Sequence, residues 1–87
     1  MSPELLPNFS SLARSIKVGS YYEHYKGLRY KILAIARHSE TLEELVIYQA
    51  QYGEEDVWVR PLAMFLENMT SNEQTFPRFK LISAGPL

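Results

Sequence analysis

Leu28-Arg29-Tyr30-Lys31-Ile32-Leu33-Ala34-Ile35-Ala36-Arg37 is the stretch on which the fold of this chain turns. Its first half alternates, with Leu28, Tyr30 and Ile32 on one side and Arg29 and Lys31 on the other. That period of two belongs to a half-buried strand. Its second half, Ile32 to Ala36, is apolar on both sides, as in a strand that runs from a sheet edge into the middle of a core. Neither Gly nor Pro interrupts it.

Working outward, Tyr21 to Tyr25 forms a second, aromatic-rich strand, and Lys26-Gly27 supplies a hairpin turn in which glycine takes the positive φ. Downstream, His38 to Glu44 breaks the pattern, and Thr41-x-x-Glu44 fits a capping box, so a turn or a single helical turn is expected. Leu45 to Tyr52 resumes as a strand, with Val46, Tyr48, Ala50 and Tyr52 on one face. Gly53-Glu54-Glu55-Asp56 is a turn, and Val57 to Arg60 is a short strand ended by Pro61. Leu62, Phe65, Leu66 and Met69 then have helical spacing, with Pro61 in an initiating position. A last strand is expected around Arg78 to Ile82. At the front, Phe9, Leu12, Ala13 and Ile16 predict a short helix capped by Asn8 or Ser10 and closed near Gly19.

Five short strands with a helical turn before the last predict a mainly β fold, a small closed barrel that protects its own edges. The expected organisation is an N-terminal arm and helix over 1–18, the β domain over 19–82 and a tail over 83–87.

Composition narrows the function. The chain has 87 residues, so it has room for one domain, and it has no cysteine to form a disulfide or a thiolate metal site. No apolar run approaches the ~18 residues of a membrane span. The N-terminus lacks the basic and apolar regions of a secretory signal, so a cytoplasmic location and no membrane partner are expected. Net charge is −1, but Leu5 to Ser39 holds six bases against Glu23 alone, and Glu40 to Asp56 holds six acids and no base. Strands drawn from the two blocks would neutralise each other if they paired.

The residues with chemistry fall in four places. His24-Tyr25-Lys26-Gly27 puts an imidazole, a phenol and an amine at a hairpin turn. Arg37-His38-Ser39-Glu40-Thr41 follows a buried strand end, where a rigid frame can hold a guanidinium fork and a titrating imidazole. Trp58 and Arg60 share one face of a strand and suit stacking on a planar ligand. Glu54-Glu55-Asp56 lacks the spaced oxygen ligands of a calcium loop, so no metal or cofactor is expected. An enzyme would have to build its machinery from one aspartate and two histidines, with no cysteine nucleophile and no Gly-rich phosphate loop.

His24-Tyr25-Lys26-Gly27, Ala36-Arg37-His38-Ser39-Glu40-Thr41, Trp58-Val59-Arg60-Pro61, Met64-Phe65 and Pro77-Arg78-Phe79 occur in the order of one bacterial family. From about Gly19 to Phe79 the chain resembles the domain of unknown function 1653. The segment before Tyr22 is longer by one residue than that pattern, and the loop before Pro77 lacks its glycine. The resemblance implies a compact domain similar to a Src-homology-3-like barrel, and it supplies no reaction or cofactor. The function expected is a non-enzymatic binding module for an anionic or planar ligand, such as a nucleotide, a nucleic acid or a peptide. Its candidate ligand residues are His24, Tyr25, Arg37, His38, Ser39, Glu40, Trp58 and Arg60. A pI of about 6.1 weakens the nucleic-acid version. The alternative is a structural or adaptor domain that joins a protein partner or a second copy of itself.

Overall fold

The computed structural model describes residues 8–85; the expected arm over residues 1–7 and the last two residues of the tail lie outside them. In chain order the elements are α1 (Ser11–Ser15), β1 (Tyr21–His24), β2 (Arg29–Arg37), β3 (Glu44–Ala50), β4 (Val57–Pro61), α2 (Leu62–Phe65), β5 (Asn68–Ser71), β6 (Gln74–Pro77) and β7 (Phe79–Ser83). The fold is mainly β. One antiparallel sheet has the order β4-β3-β2-β1-β7, and β5 and β6 form a separate hairpin.

The central stretch behaves as its pattern dictates. β2 pairs with β1 on one side and β3 on the other, with a register shift between Ile32 and Ala34. Tyr30 and Ile32 are buried, while Leu33 to Arg37 are half-buried. On β3 the alternation holds: Val46, Tyr48 and Ala50 are buried, and Tyr52 lies past the strand end, part exposed. The basic and acidic blocks do meet, with Arg37 opposite Glu44 across the β2–β3 ladder.

α1 is shorter than its periodicity suggested. Ser10 rather than Asn8 caps it, its Oγ accepting from the Ala13 N–H at 3.1 Å. Ser10 is also tied to β3, since its N–H and its hydroxyl each donate to the Glu44 carboxylate at 2.7 Å. Those two bonds hold the Glu44 carboxyl below the usual glutamate range, with help from the Arg37 charge. Glu44 therefore serves α1, and the Thr41-x-x-Glu44 segment forms a turn instead of a helical cap. In that turn His38 Nδ1 accepts from the Glu40 and Thr41 N–H groups at 3.1 and 3.3 Å.

The core is unusually aromatic. Phe65, from α2, lies stacked on Phe79 of β7 with centroids 4.2 Å apart and planes 8° from parallel. Tyr22 and Tyr48 meet Phe65 edge-on, and Tyr30 and Tyr48 meet Phe79 the same way. Ala13, Ile16, Ile32, Val46, Ala50 and Leu62 fill the space around them. Two of these buried tyrosines gain hydroxyl partners at the rim: Tyr30 with Tyr52, and Tyr48 with Arg60. Among the described residues no buried side-chain nitrogen or oxygen lacks a partner.

Two expectations are corrected. The helix expected from Leu62 to Met69 stops at Phe65, because the chain turns at Leu66 and enters the β5–β6 hairpin, an element the helical spacing of Leu62, Phe65, Leu66 and Met69 conceals. The barrel is also not closed. β7 pairs with β1 and β4 with β3, so β4 and β7 are both edges of an open sheet. Backbones must approach to about 4.8 Å to share a ladder. Between β4 and β7 stands a side chain: Arg60 reaches from β4 to put its guanidinium carbon 5.7 Å from the Phe79 ring centre. The approach of β4 to β7 is thus made by side chains, and among the described residues no ladder joins the two strands.

Candidate aromatic and cationic site

β1 ends at His24, and the turn that follows is closed by the Gly27 N–H on the His24 carbonyl at 2.7 Å, with Gly27 at φ 94°. Glycine is needed there for that positive φ. The Lys26 N–H donates to His24 Nδ1 at 3.2 Å, so the neutral ring carries its proton on Nε2. The imidazole is flanked by Tyr25, centroids 4.4 Å apart, and by Phe79 at 5.0 Å. Tyr25 in turn contacts Phe76 of the hairpin at 5.5 Å. A shallow pocket of about 350 Å³ opens beside them, lined by Glu23, His24, Tyr25, Phe76, Pro77 and Lys80.

Partial burial lowers the His24 pKa first, and the charges of Arg60, Lys26 and Arg78 lower it further. The imidazole is thus neutral at neutral pH, with the Lys26 ammonium over the Tyr25 ring and the Arg60 guanidinium over Phe79. Arg78 is committed: it donates to Glu67 at 2.7 Å and to the Met64 carbonyl at 3.1 Å. Arg60 donates through Nε to the Tyr48 hydroxyl at 3.1 Å and lies over Phe79. Among the described residues no carboxylate forms an ion pair with Arg60; the pairs are Arg29–Glu23 and Arg78–Glu67.

Of the residues singled out in the sequence, His24, Tyr25 and Arg60 are thereby brought to one region. Trp58 shares the Arg60 face, opposite Tyr48 in the ladder, but stands out at the edge with 52% of its surface exposed. Arg37, His38, Ser39 and Glu40 lie elsewhere, with the whole length of β2 between His38 and His24. There the Arg37 guanidinium sits over the Phe9 ring at 4.4 Å, beside the Glu44 that anchors α1. Sequence reasoning does not place Phe79, Arg78 or Tyr48 at the site. Pro77-Arg78-Phe79 carries a motif signal, but only the β1–β7 pairing, His24 opposite Phe79, brings it here. Among the described residues no cluster of three or more potential metal ligands occurs, and no helix is long and apolar enough to cross a membrane.

An open five-stranded sheet packed on an aromatic stack, with histidine and arginine at its rim, defines a small, mainly β domain. The chain belongs to the family described as protein of unknown function DUF1653, whose pattern matches residues 20–81. It is similar to a crystal structure of a DUF1653 protein from Bordetella bronchiseptica, with 30% identity over 79% of this chain and 91% of that one and a TM-score of 0.68. No curated protein matches it.

Proposed function

We propose that this protein is a non-enzymatic, cytoplasmic binding module that holds a small planar anion, of the nucleotide kind, at the His24–Arg60 rim. The observation that carries the reading is His24 set between the Tyr25 and Phe79 rings, with Arg60 over Phe79 and Lys26 over Tyr25. Rings present faces for stacking, and a guanidinium that no carboxylate pairs among the described residues is suited to a phosphate or carboxylate. His24 Nε2–H adds a neutral donor. The net charge of −1 argues for a compact anion over a long nucleic acid, whose binding draws on an excess of basic charge.

The test is a ¹H–¹⁵N titration of the full chain with nucleoside mono- and triphosphates, a short single-stranded oligonucleotide and acidic peptides. Saturable shifts are expected at Tyr25, Lys26, Arg60 and Phe79, weakened about tenfold by Arg60→Gln, the loss of one charged hydrogen bond. Shifts confined to Arg37–Glu40, or none with millimolar nucleotide, would refute the assignment.

A further inference from the structure

We infer that β4 is a pairing edge for a second copy of this chain, joined antiparallel about a two-fold axis at Trp58. The inference stands on the backbone of β4; only its charge pairing shares Arg60 with the proposed rim site.

β4 is hydrogen-bonded to β3 and ends the sheet on its other side. Val57, Trp58 and Val59 are 56, 52 and 57% exposed, in one uninterrupted apolar run. Edges are normally blunted by charged side chains, lysine above all, by proline, by a bulge or by a cover. The opposite edge, β7, follows that rule: it carries Lys80 and a register shift at its pairing with Tyr21 and Tyr22. β4 carries such guards only at its end, Arg60 and Pro61; Val57 to Val59 have none, and the register with β3 is continuous.

The ladder also states which backbone groups face outward. The Ala50 N–H donates to the Asp56 carbonyl at 2.9 Å, so Asp56 points its polar groups at β3. In an antiparallel ladder this alternates, so Trp58 and Arg60 also point inward. Val57 and Val59 then turn their N–H and C=O groups to the free side, and Pro61 offers a carbonyl alone.

One two-fold register uses all of these. With Trp58 on the axis, Val57 lies opposite Val59 of the second copy. The outward N–H groups of each copy then meet the outward carbonyls of the other. On one face valine packs on valine, and on the other Trp58 meets its own copy as a close, non-hydrogen-bonded aromatic pair. Asp56 falls opposite Arg60, so opposite charges face each other on both sides of the axis. The neighbouring registers fail. Placing Val59 on the axis sets Val57 against Pro61, which has no N–H to give. Placing Val57 there sets Val59 against Glu55, whose φ of 57° takes it out of extended geometry. The contact is short, so the dimer belongs with weak interfaces and forms in proportion to concentration.

Sedimentation equilibrium of the full chain from micromolar to millimolar concentration tests this, with amide exchange read in parallel. The mass should rise from 10.1 kDa toward twice that value. Over the same range the Val57 and Val59 amides, which exchange freely in the monomer, should become protected. Val59→Pro removes an outward N–H without removing a bond to β3, so it should keep the folded spectrum and lose the dimer. Should that variant misfold, Asp56→Arg sets like charges across the axis and should weaken association at least tenfold. A wild-type chain that stays monomeric at millimolar concentration overturns the inference. So does association with Val57 and Val59 unprotected, or growth past the dimer, which would mark head-to-tail pairing of β4 with β7.

Discussion

The β5–β6 hairpin contains a residue in the wrong backbone conformation for its chemistry, and correcting it should stabilise the domain. Ser71 pairs with Gln74, so the loop is the two-residue Asn72-Glu73, and both residues have positive φ, 53° and 64°. That is a type I′ turn, in which Asn is well placed first and Gly is preferred second. Glu73 holds the second place. A side chain in the left-handed region costs about 1–2 kcal/mol. Glycine removes that cost but gives back about 0.5–1 kcal/mol of chain entropy. Glu73 is exposed and forms no hydrogen bond or ion pair among the described residues, so little else is lost. Glu73→Gly should therefore add about 0.5–1 kcal/mol. For a domain this small that raises Tm by roughly 2–8 °C. Urea unfolding should show a higher midpoint with an unchanged slope. Glu73→Ala, which loses the carboxylate and keeps Cβ, should stay within about 0.5 kcal/mol of the parent. An equal gain from alanine, or a loss with glycine, would refute the reasoning.

Phe65→Ala removes the ring stacked on Phe79 and should cost about 3–5 kcal/mol in urea unfolding, a large share of the stability of any small domain. Arg37→Ala should cost about 0.5–1 kcal/mol through its contact with Phe9 and leave nucleotide titration of the His24–Arg60 rim unchanged. Acid should act through two groups. The Glu44 carboxyl is held low in the folded state, so its stabilisation is complete above the ordinary glutamate range and is lost as pH falls through the lowered value. Glu44→Gln should flatten that limb of the pH–stability curve. His24 is also lowered, so stability should already decline as pH falls below the ordinary histidine value of about 6.5, and His24→Gln should remove that decline.

Much of the sheet was legible because strand periodicity survives wherever one face is buried. β1 to β4 and β7 lie within a residue or two of where alternation puts them, and the exception on β3, Tyr52, sits past the last ladder bond. What was not legible has physical causes. Leu62, Phe65, Leu66 and Met69 have helical spacing, but the turn after Phe65 breaks it, and the hairpin beyond carries Asn-Glu where Asn-Gly would have announced a turn. The loop before Pro77 that lacks a glycine is that hairpin. Barrel closure was misjudged because it depends on which strand meets β7, and strand partners are not written in local periodicity. The candidate site divides the same way. His24-Tyr25 and Arg60 stand out as chemistry at strand ends, but their shared location depends on Phe79 and on the reach of one arginine. Arg37 and the loop after it stand out most in the sequence, and only the Ser10–Glu44 contact reveals that Arg37 sits where α1 docks.

A closed barrel is a hoop, and widening it means breaking ladder bonds along a whole strand. This domain is a split ring. At its seam Arg60 of β4 latches onto β7 by resting on the Phe79 ring, while its bond to the Tyr48 hydroxyl runs to the neighbouring β3. Such a latch can release and reset without disturbing any strand pair, so the seam should breathe far faster than the sheet unfolds. The rim that Arg60 shares with His24 would then owe its accessibility to the gap that keeps the barrel from closing.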